Sequence, residues 1–225
     1  GELSGKLDHH HCVSEAVPEY TACGFNYKHQ EGTDGTDAAS LTRAIIEGRR
    51  QAHELCEYLR TRVKGCEGGF VASTAELVGV RETRRIRGDY VMDVEHFWAC
   101  TKSDDDIASY CYYIDVHDVP SEDGEVDEYV QKHISGHLPP GKHYGIPYRA
   151  LLPRGIENLI VAGRSVSCDR VMQGSVRVMP GCFATGEAAG LAAQMASSSS
   201  RGVREVDVAA LRSELVARGA FIDGA

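Results

Sequence analysis

From Asp37 onward, apolar side chains recur at helical spacing: Leu41, Ile45, Ala52, Leu55, Leu59 and Val63, with Arg49, Arg50, Glu54 and Arg60 between them. Asp37 or Ser40 can cap the start, because a short side-chain oxygen accepts the free amides of a first turn, and Gly65 follows the end. The pattern predicts a long amphipathic helix near 38–63. Ahead of it, residues 1–35 show no sustained period and read as strands and loops. Phe70 to Val80 reads as a strand broken by Gly79, and Tyr110 to His117 as another of strong β-propensity. Residues 118–143, acidic and polar with Pro139-Pro140, read as a surface excursion. Asn158 to Ala162 is a short apolar run closed by Gly163, the pattern of a buried parallel strand. Met179 to Ala196 reads as a turn and a helix of very small residues, and Ser197 to Ser200 as a linker. Asp207 caps a last helix with Val208, Leu211 and Leu215 inward, ended by Gly219.

Composition narrows the class. The 225 residues are 42% hydrophobic and 25% charged, the balance of a globular chain able to bury a sizeable core. Twenty-four Lys and Arg against 33 Asp and Glu leave a net charge of -9, which argues against a general nucleic-acid binder. No stretch approaches the ~20 apolar residues of a membrane span, and no basic-then-apolar start marks a signal peptide. The sequence opens on Gly1, as a processed protein, a fragment or an engineered leftover does. The eight cysteines show no C-x-x-C spacing, so zinc-ribbon and thioredoxin readings have no support; an even count permits disulfides, but reduced thiols in a cytoplasmic protein are the default.

The usual catalytic fingerprints are absent: no G-x-G-x-x-G, no G-x-x-x-x-G-K-[ST], no G-x-S-x-G and no H-E-x-x-H. The informative segment runs from Asn158 to Ala196. A strand ending in Ala162-Gly163-Arg164 lets backbone approach a ligand closely, since Gly163 has no Cβ. A helix start near Thr185-Gly186-Glu187-Ala188 would offer free amides and a positive dipole end to a phosphate or to the N1–C2=O side of a reduced flavin. Gly186 and Gly190 equally serve plain helix packing.

Four blocks then become recognisable in order: Ile146-Pro147-Tyr148-Arg149-Ala150-Leu151-Leu152-Pro153, Asn158 to Arg164, Gly174-Ser175-Val176-Arg177-Val178-Met179-Pro180, and Thr185-Gly186-Glu187-Ala188-Ala189-Gly190-Leu191-Ala192-Ala193. Together they resemble the FAD-dependent oxidoreductases with a glutathione-reductase-like flavin domain, distant relatives of the fumarate reductase flavoproteins. Leu41 to Arg50, Val80 to Ile86, Tyr113 to His117 and Asp207 to Ala220 extend the resemblance over roughly residues 36–222. It implies an α/β fold: an α+β substrate domain plus the C-terminal part of a Rossmann-like FAD-binding domain. Residues 1–157 would be mainly the substrate or cap domain, 158–200 the flavin part and 201–225 a closing helix. Family members are about twice as long, with the ADP-holding G-x-G-x-x-G in the half this sequence lacks. The expectation is therefore a hetero-oligomer, in which a second polypeptide completes the central strands.

The resemblance implies roles residue by residue. Gly163, Arg164 and Ser165 would lie along the ribityl and pyrophosphate region of FAD, and Ser175 and Arg177 near the flavin ring. Thr185, Gly186, Glu187 and Ala188 would sit beneath the isoalloxazine. Arg81, Glu82, Arg84 and Arg85 would belong to the substrate side, where close guanidinium groups suit an anionic substrate or phosphates. His117, Tyr148, Arg149 and Arg85 are the candidates for proton transfer and substrate positioning. The reaction implied is hydride transfer between a small organic substrate and flavin N5. Two other readings stay open: a non-catalytic partner subunit of a flavoprotein complex, and a metal-binding module at His9-His10-His11-Cys12, against which stands the alternation of adjacent side chains along an extended chain.

Overall fold

Asp37 accepts hydrogen bonds from the amides of Ala39 and Ser40, and helix α1 (Ala38–Arg62) starts there. The same solution recurs at three more helix starts. Asp93 accepts from the His96 amide ahead of α2 (Val94–Trp98), Asp169 from the Met172 amide ahead of α3 (Arg170–Val176), and Asp207 from the Ala210 amide ahead of α5 (Val208–Ala217). A carboxylate there satisfies an orphan amide and faces the positive end of the helix dipole. Helix α4 (Met179–Ser199) differs: its cap residue, Val178, has no side-chain oxygen, and Pro180 occupies the first turn, where its missing amide is no loss.

The computed structural model describes residues 12–13, 24–25, 30, 32–116 and 136–224, in two compact units that divide between Val80 and Arg81. In the first, β1 (Cys12–Val13) pairs antiparallel with β2 (Gly24–Phe25). Helix α1 buries Ala44 and Leu55, with Leu41, Ile45, Ala52 and Leu59 half-buried on the same stripe, so the sequence pattern marks the helix's inner face. Phe70 to Val80 belongs to no strand and bends at 76–77, and Phe70 and Leu77 are each 80% exposed. β-propensity alone does not make a strand where no ladder receives it.

In the second unit, β3 (Asp106–Tyr110) pairs antiparallel with β4 (Tyr144–Pro147), Ala108 opposite Ile146 and Tyr110 opposite Tyr144. The segment after α5 also lines β3: the Ser109 amide donates to the Phe221 carbonyl at 2.9 Å. Helices α4 and α5 pack on this ribbon, while α2 packs on α3. Residues 144–147 are all buried rather than alternating in and out, as expected for a ribbon covered on both faces. One carboxylate ties two helices together, because Asp169 caps α3 with Oδ1 and accepts the Val94 amide of α2 at 3.0 Å with Oδ2.

Three expectations are corrected here. The strand expected over Tyr110 to His117 ends at Tyr110, because the next backbone groups find scattered partners: the Tyr112 carbonyl accepts from Ser175, and the Ile114 amide donates to the Gly136 carbonyl. Asn158 to Ala162 is not a buried parallel strand. It is half-exposed, with the Val161 amide donating to the Leu151 carbonyl, and the described sheets are two antiparallel pairs. The serine tetrad is mostly helix rather than linker: α4 runs through Ser199 and ends at Ser200, whose φ is 55°. Among the described residues no helix is long and apolar enough to cross a membrane, the cysteines at 56, 66, 100, 111, 168 and 182 are free thiols, and no cluster of His, Cys, Asp or Glu is built to hold a metal ion. His9, His10 and His11 lie outside the described residues.

Asp106 carries a pH dependence. Its carboxylate is 5% exposed, with Oδ2 accepting the Ser103 amide and Oδ1 lacking a partner, and burial raises its pKa to about 6 from an ordinary 3.8. The folded state therefore holds this proton more tightly than the unfolded one, so stability falls as pH rises from about 4 through 6. Asp106→Asn is expected to flatten that slope and raise the melting temperature more at pH 7.5 than at pH 4.5, by the equivalent of about 2 kcal/mol. Thermal unfolding across pH checks it, and parallel profiles for the two proteins would overturn it.

Candidate functional site

The half-exposed run 159–162 turns at Gly163, whose φ of 74° opens a short 3-10 turn over Gly163–Ser165. A side chain at that φ would be strained. The Gly163 amide donates to Thr185 Oγ at 3.0 Å, and the buried Thr185 hydroxyl donates in turn to the Gly181 carbonyl at 2.8 Å. This fixes the end of the extended run against the first two turns of α4. The helix itself starts at Met179, six residues before Thr185, so Thr185 to Ala188 lie within the helix rather than at its start. Ala188 is fully buried, whereas Gly186 and Glu187 face outward.

The first turn of α4 is pressed into the core. A Cβ on Gly181 would come within 2.3 Å of the Val176 carbonyl, and the Gly181 amide donates to Tyr110 Oη at 3.0 Å. The opposite face of α4 is bare. Met179 and Phe183 are about 70% exposed, and Gly186 and Gly190 continue the stripe with nothing within 4 Å of an added Cβ.

Ser175 is fully buried, and its partners settle the donor roles. The Tyr112 carbonyl can only accept, so Ser175 Oγ donates to it, and Tyr144 Oη donates to Ser175 Oγ at 2.7 Å. Tyr144, fully buried, has its pKa raised well above the phenol range by desolvation. Arg177, between α3 and α4, reaches back to Asp115, with Nη2 2.8 Å from the carbonyl and 3.1 Å from Oδ2. Arg85 pairs with Glu82 and donates to Gln173 Oε1 at 3.2 Å, while Gln173 Nε2 donates to the Arg164 carbonyl at 3.1 Å. The Arg164 side chain is exposed, and the Ser165 carbonyl accepts the Ile86 amide. Arg85, Arg164, Ser165, Ser175 and Arg177 thus gather around α3, with Gly163 and Thr185 beside them at the α4 start.

Tyr148 and Arg149 stand elsewhere. Tyr148 Oη donates to the Val203 carbonyl, beyond the other end of α4, and burial pushes its pKa up to about 12. Arg149 makes a two-pronged pair with Asp105, at 2.9 and 3.0 Å, and covers the Tyr90 ring at 5.3 Å. Both line a cleft of about 580 Å³ with Asp89 and Arg204. His117 lies outside the described residues. Sequence reading passed over Asp115 and Gln173, the two side chains that organise the arginines. Asp115 sits in a quoted block beside His117; Gln173 carries no sequence signal at all.

A model of the FAD dependent oxidoreductase family matches residues 7–215, most of the chain. No curated protein and no solved structure matches it.

Gly174 sets how closely residues 115–116 lie on α3, since an added Cβ would meet Val116 Cγ2 at 2.8 Å and the Asp115 carbonyl at 3.1 Å. Gly174→Ala is expected to lower stability by about 1–3 kcal/mol through overpacking, whereas Gly186→Ala, open on its outer face, gains helix propensity of about 1 kcal/mol. Paired thermal melts check the contrast; equal shifts would refute it.

Proposed function

The chain belongs to the FAD dependent oxidoreductases, whose cofactor is FAD, and from that premise we propose that it supplies one wall of a flavin site and the substrate-side residues against it. The observation that carries this reading is the bare face of α4, with Met179, Phe183, Gly186 and Gly190 outward, beside the half-exposed run 159–162 that ends at Gly163. An apolar stripe of this kind is what a missing layer of a flavin domain would cover. The chain contains no G-x-G-x-x-G, so the dinucleotide-binding half is assigned to a second polypeptide that seats on this face.

The residues present fit the cofactor. Gly163 takes a positive φ and leaves its outer side open, with only Cys182 Sγ, at 3.8 Å, near a notional Cβ. The absence of a side chain at Gly186 and Gly190 allows close approach, and Arg164, next to Gly163 in sequence, is exposed as a cation for a phosphate or ribityl oxygen. When bound, FAD supplies hydride transfer between its N5 and a small organic substrate. In this reading residues 158–200 serve the flavin, 201–225 close the fold, and the earlier residues form the substrate side.

The assigned roles follow from what each group is free to do. Thr185 holds Gly163 in place, and Ser175 anchors the core beneath the α3–α4 junction. Arg85 and Arg177 bring positive charge to the substrate side, and His117 takes or gives the proton that accompanies the hydride. Tyr148 and Arg149 position the wall at the other end of α4.

Native mass spectrometry with a visible absorption spectrum tests the proposal. Purified from its own source, the chain is expected in a heteromer with one FAD per copy, the partner carrying the glycine fingerprint. Gly186→Leu is expected to leave the melt of this chain within a few degrees of the parent yet cut FAD content at least tenfold, because the new side chain stands where the second polypeptide packs. Full flavin occupancy in that variant, or a stable colourless chain with no partner, would sink the proposal.

A further inference from the structure

We propose that Arg81 and Arg177, which flank Asp115, bind a carboxylate of the substrate, so that the substrate is an organic acid. This deepens the flavoenzyme reading and rests on it for calling the ligand a substrate; the binding site itself stands on the geometry. Arg177 Nη2 lies 3.1 Å from Asp115 Oδ2, and Arg81 Nη1 lies 3.9 Å from the same oxygen. At that distance Arg81 is attracted to Asp115 but not hydrogen-bonded, and its Nη1, itself buried, has no hydrogen-bond partner. Two guanidinium groups therefore share one carboxylate, and one of them holds an unused donor.

Among the described residues, the surroundings supply no second anion to Arg81 and Arg177. Arg85 stands one helical turn from Arg177 along the same side of α3, through its bond to Gln173, and its neighbour Glu82 is taken up by Arg85 itself. Three guanidinium groups thus face two carboxylates in a chain whose net charge is -9. The Arg177 side chain is only 12% exposed, and burial together with the nearby Arg81 charge disfavours its cation. A buried guanidinium is costly unless its donors are matched by anionic oxygens, and a second carboxylate here relieves both the desolvation and the Arg–Arg repulsion. The Arg81 side chain is 31% exposed although Nη1 is buried, so solvent reaches the group at other atoms and a ligand at Nη1 requires a shift of the side chain. A planar carboxylate offers two oxygens to a guanidinium fork, whereas Asp115 gives Arg177 Nη2 one carboxylate oxygen and its backbone carbonyl. Inorganic phosphate shares the oxyanion chemistry, and the experiment separates the two.

The test is isothermal titration of the full chain as purified, with succinate and, separately, inorganic phosphate at matched ionic strength, repeated on the flavin-bearing complex. Succinate is expected to bind saturably. Arg81→Gln should weaken it at least tenfold, whereas Arg87→Gln, at an exposed position nearby in sequence, should leave it unchanged. Asp115→Asn should strengthen it, because the internal competitor for both arginines is neutralised; a merely structural Asp115 would give no such gain. The proposal is overturned if succinate fails to saturate, if Arg81→Gln binds it as the parent does, or if phosphate binds more tightly than succinate. Flavin bound without succinate binding defeats this inference and leaves the flavoenzyme reading intact; succinate bound by a chain that never acquires flavin defeats that reading and leaves the anion site.

Discussion

The Tyr144 hydroxyl, buried at the centre of the second unit, constrains everything around it. A buried phenol must find an acceptor, and Tyr144 has Ser175, which passes the bond to the Tyr112 carbonyl. That one chain of bonds joins β4 to α3 and to the segment that leaves β3. The ring itself fills the space among His96, Phe97 and Tyr110, at centroid distances of 5.6 to 5.9 Å. His96 is fixed by similar logic: the Gly145 carbonyl can only accept, so Nε2 carries the proton and Nδ1 accepts from Tyr90. Burial lowers the His96 pKa, which keeps this neutral tautomer in place. The aromatic residues here form a polar-tipped core rather than a reactive surface.

From that core the chemistry is pushed outward along α3 and α4. Because Ser175 is committed inward, Gln173, two residues before it, and Arg177, just after the end of α3, carry the polar contacts of the junction. Gln173 bridges Arg85 to the Arg164 carbonyl, so the turn after Gly163 and the basic segment at 81–85 are held by one amide side chain. Thr185 does the equivalent on α4, accepting from Gly163 while bonding its own helix. The positive groups converge because two uncharged side chains place the backbone and guanidinium groups to which they bind.

Helix periodicity made much of the scaffold legible. The inner stripe of α1, the caps Asp37 and Asp207 and the small-residue helix after Val178 all follow from local pattern, since each depends on residues within a few positions. The strands were far less legible. Strand character at Phe70 and Asn158 needs a partner from elsewhere in the sequence, and propensity says nothing of whether one is present. Among the site residues, Gly163 is readable because a positive φ leaves few alternatives. Asp115 and Gln173 were not, because their importance lies in contacts 62 and 88 residues away in sequence. The start of α4 was misplaced for a related reason: with no capping oxygen at Val178, the signal for its first turn is Pro180 alone.

The glycines separate what the chain completes from what it leaves open. At Gly145 an added Cβ would fall 1.8 Å from Asp106 Oδ2, and at Gly181 it would fall 2.3 Å from the Val176 carbonyl, so these positions are closed by the chain's own packing. Gly186 and Gly190 sit on the same helix as Gly181, yet nothing lies within 4 Å of their notional Cβ atoms. Glycine in a helix interior costs about 1 kcal/mol against alanine, and two of them on an open face find no compensating contact among the described residues. Close approach by another backbone or a flat ligand would provide it, and Phe183 and Met179, about 70% exposed, lie on the same stripe. The inward glycines explain how the second unit packs; the outward ones leave the α4 face open to a neighbour.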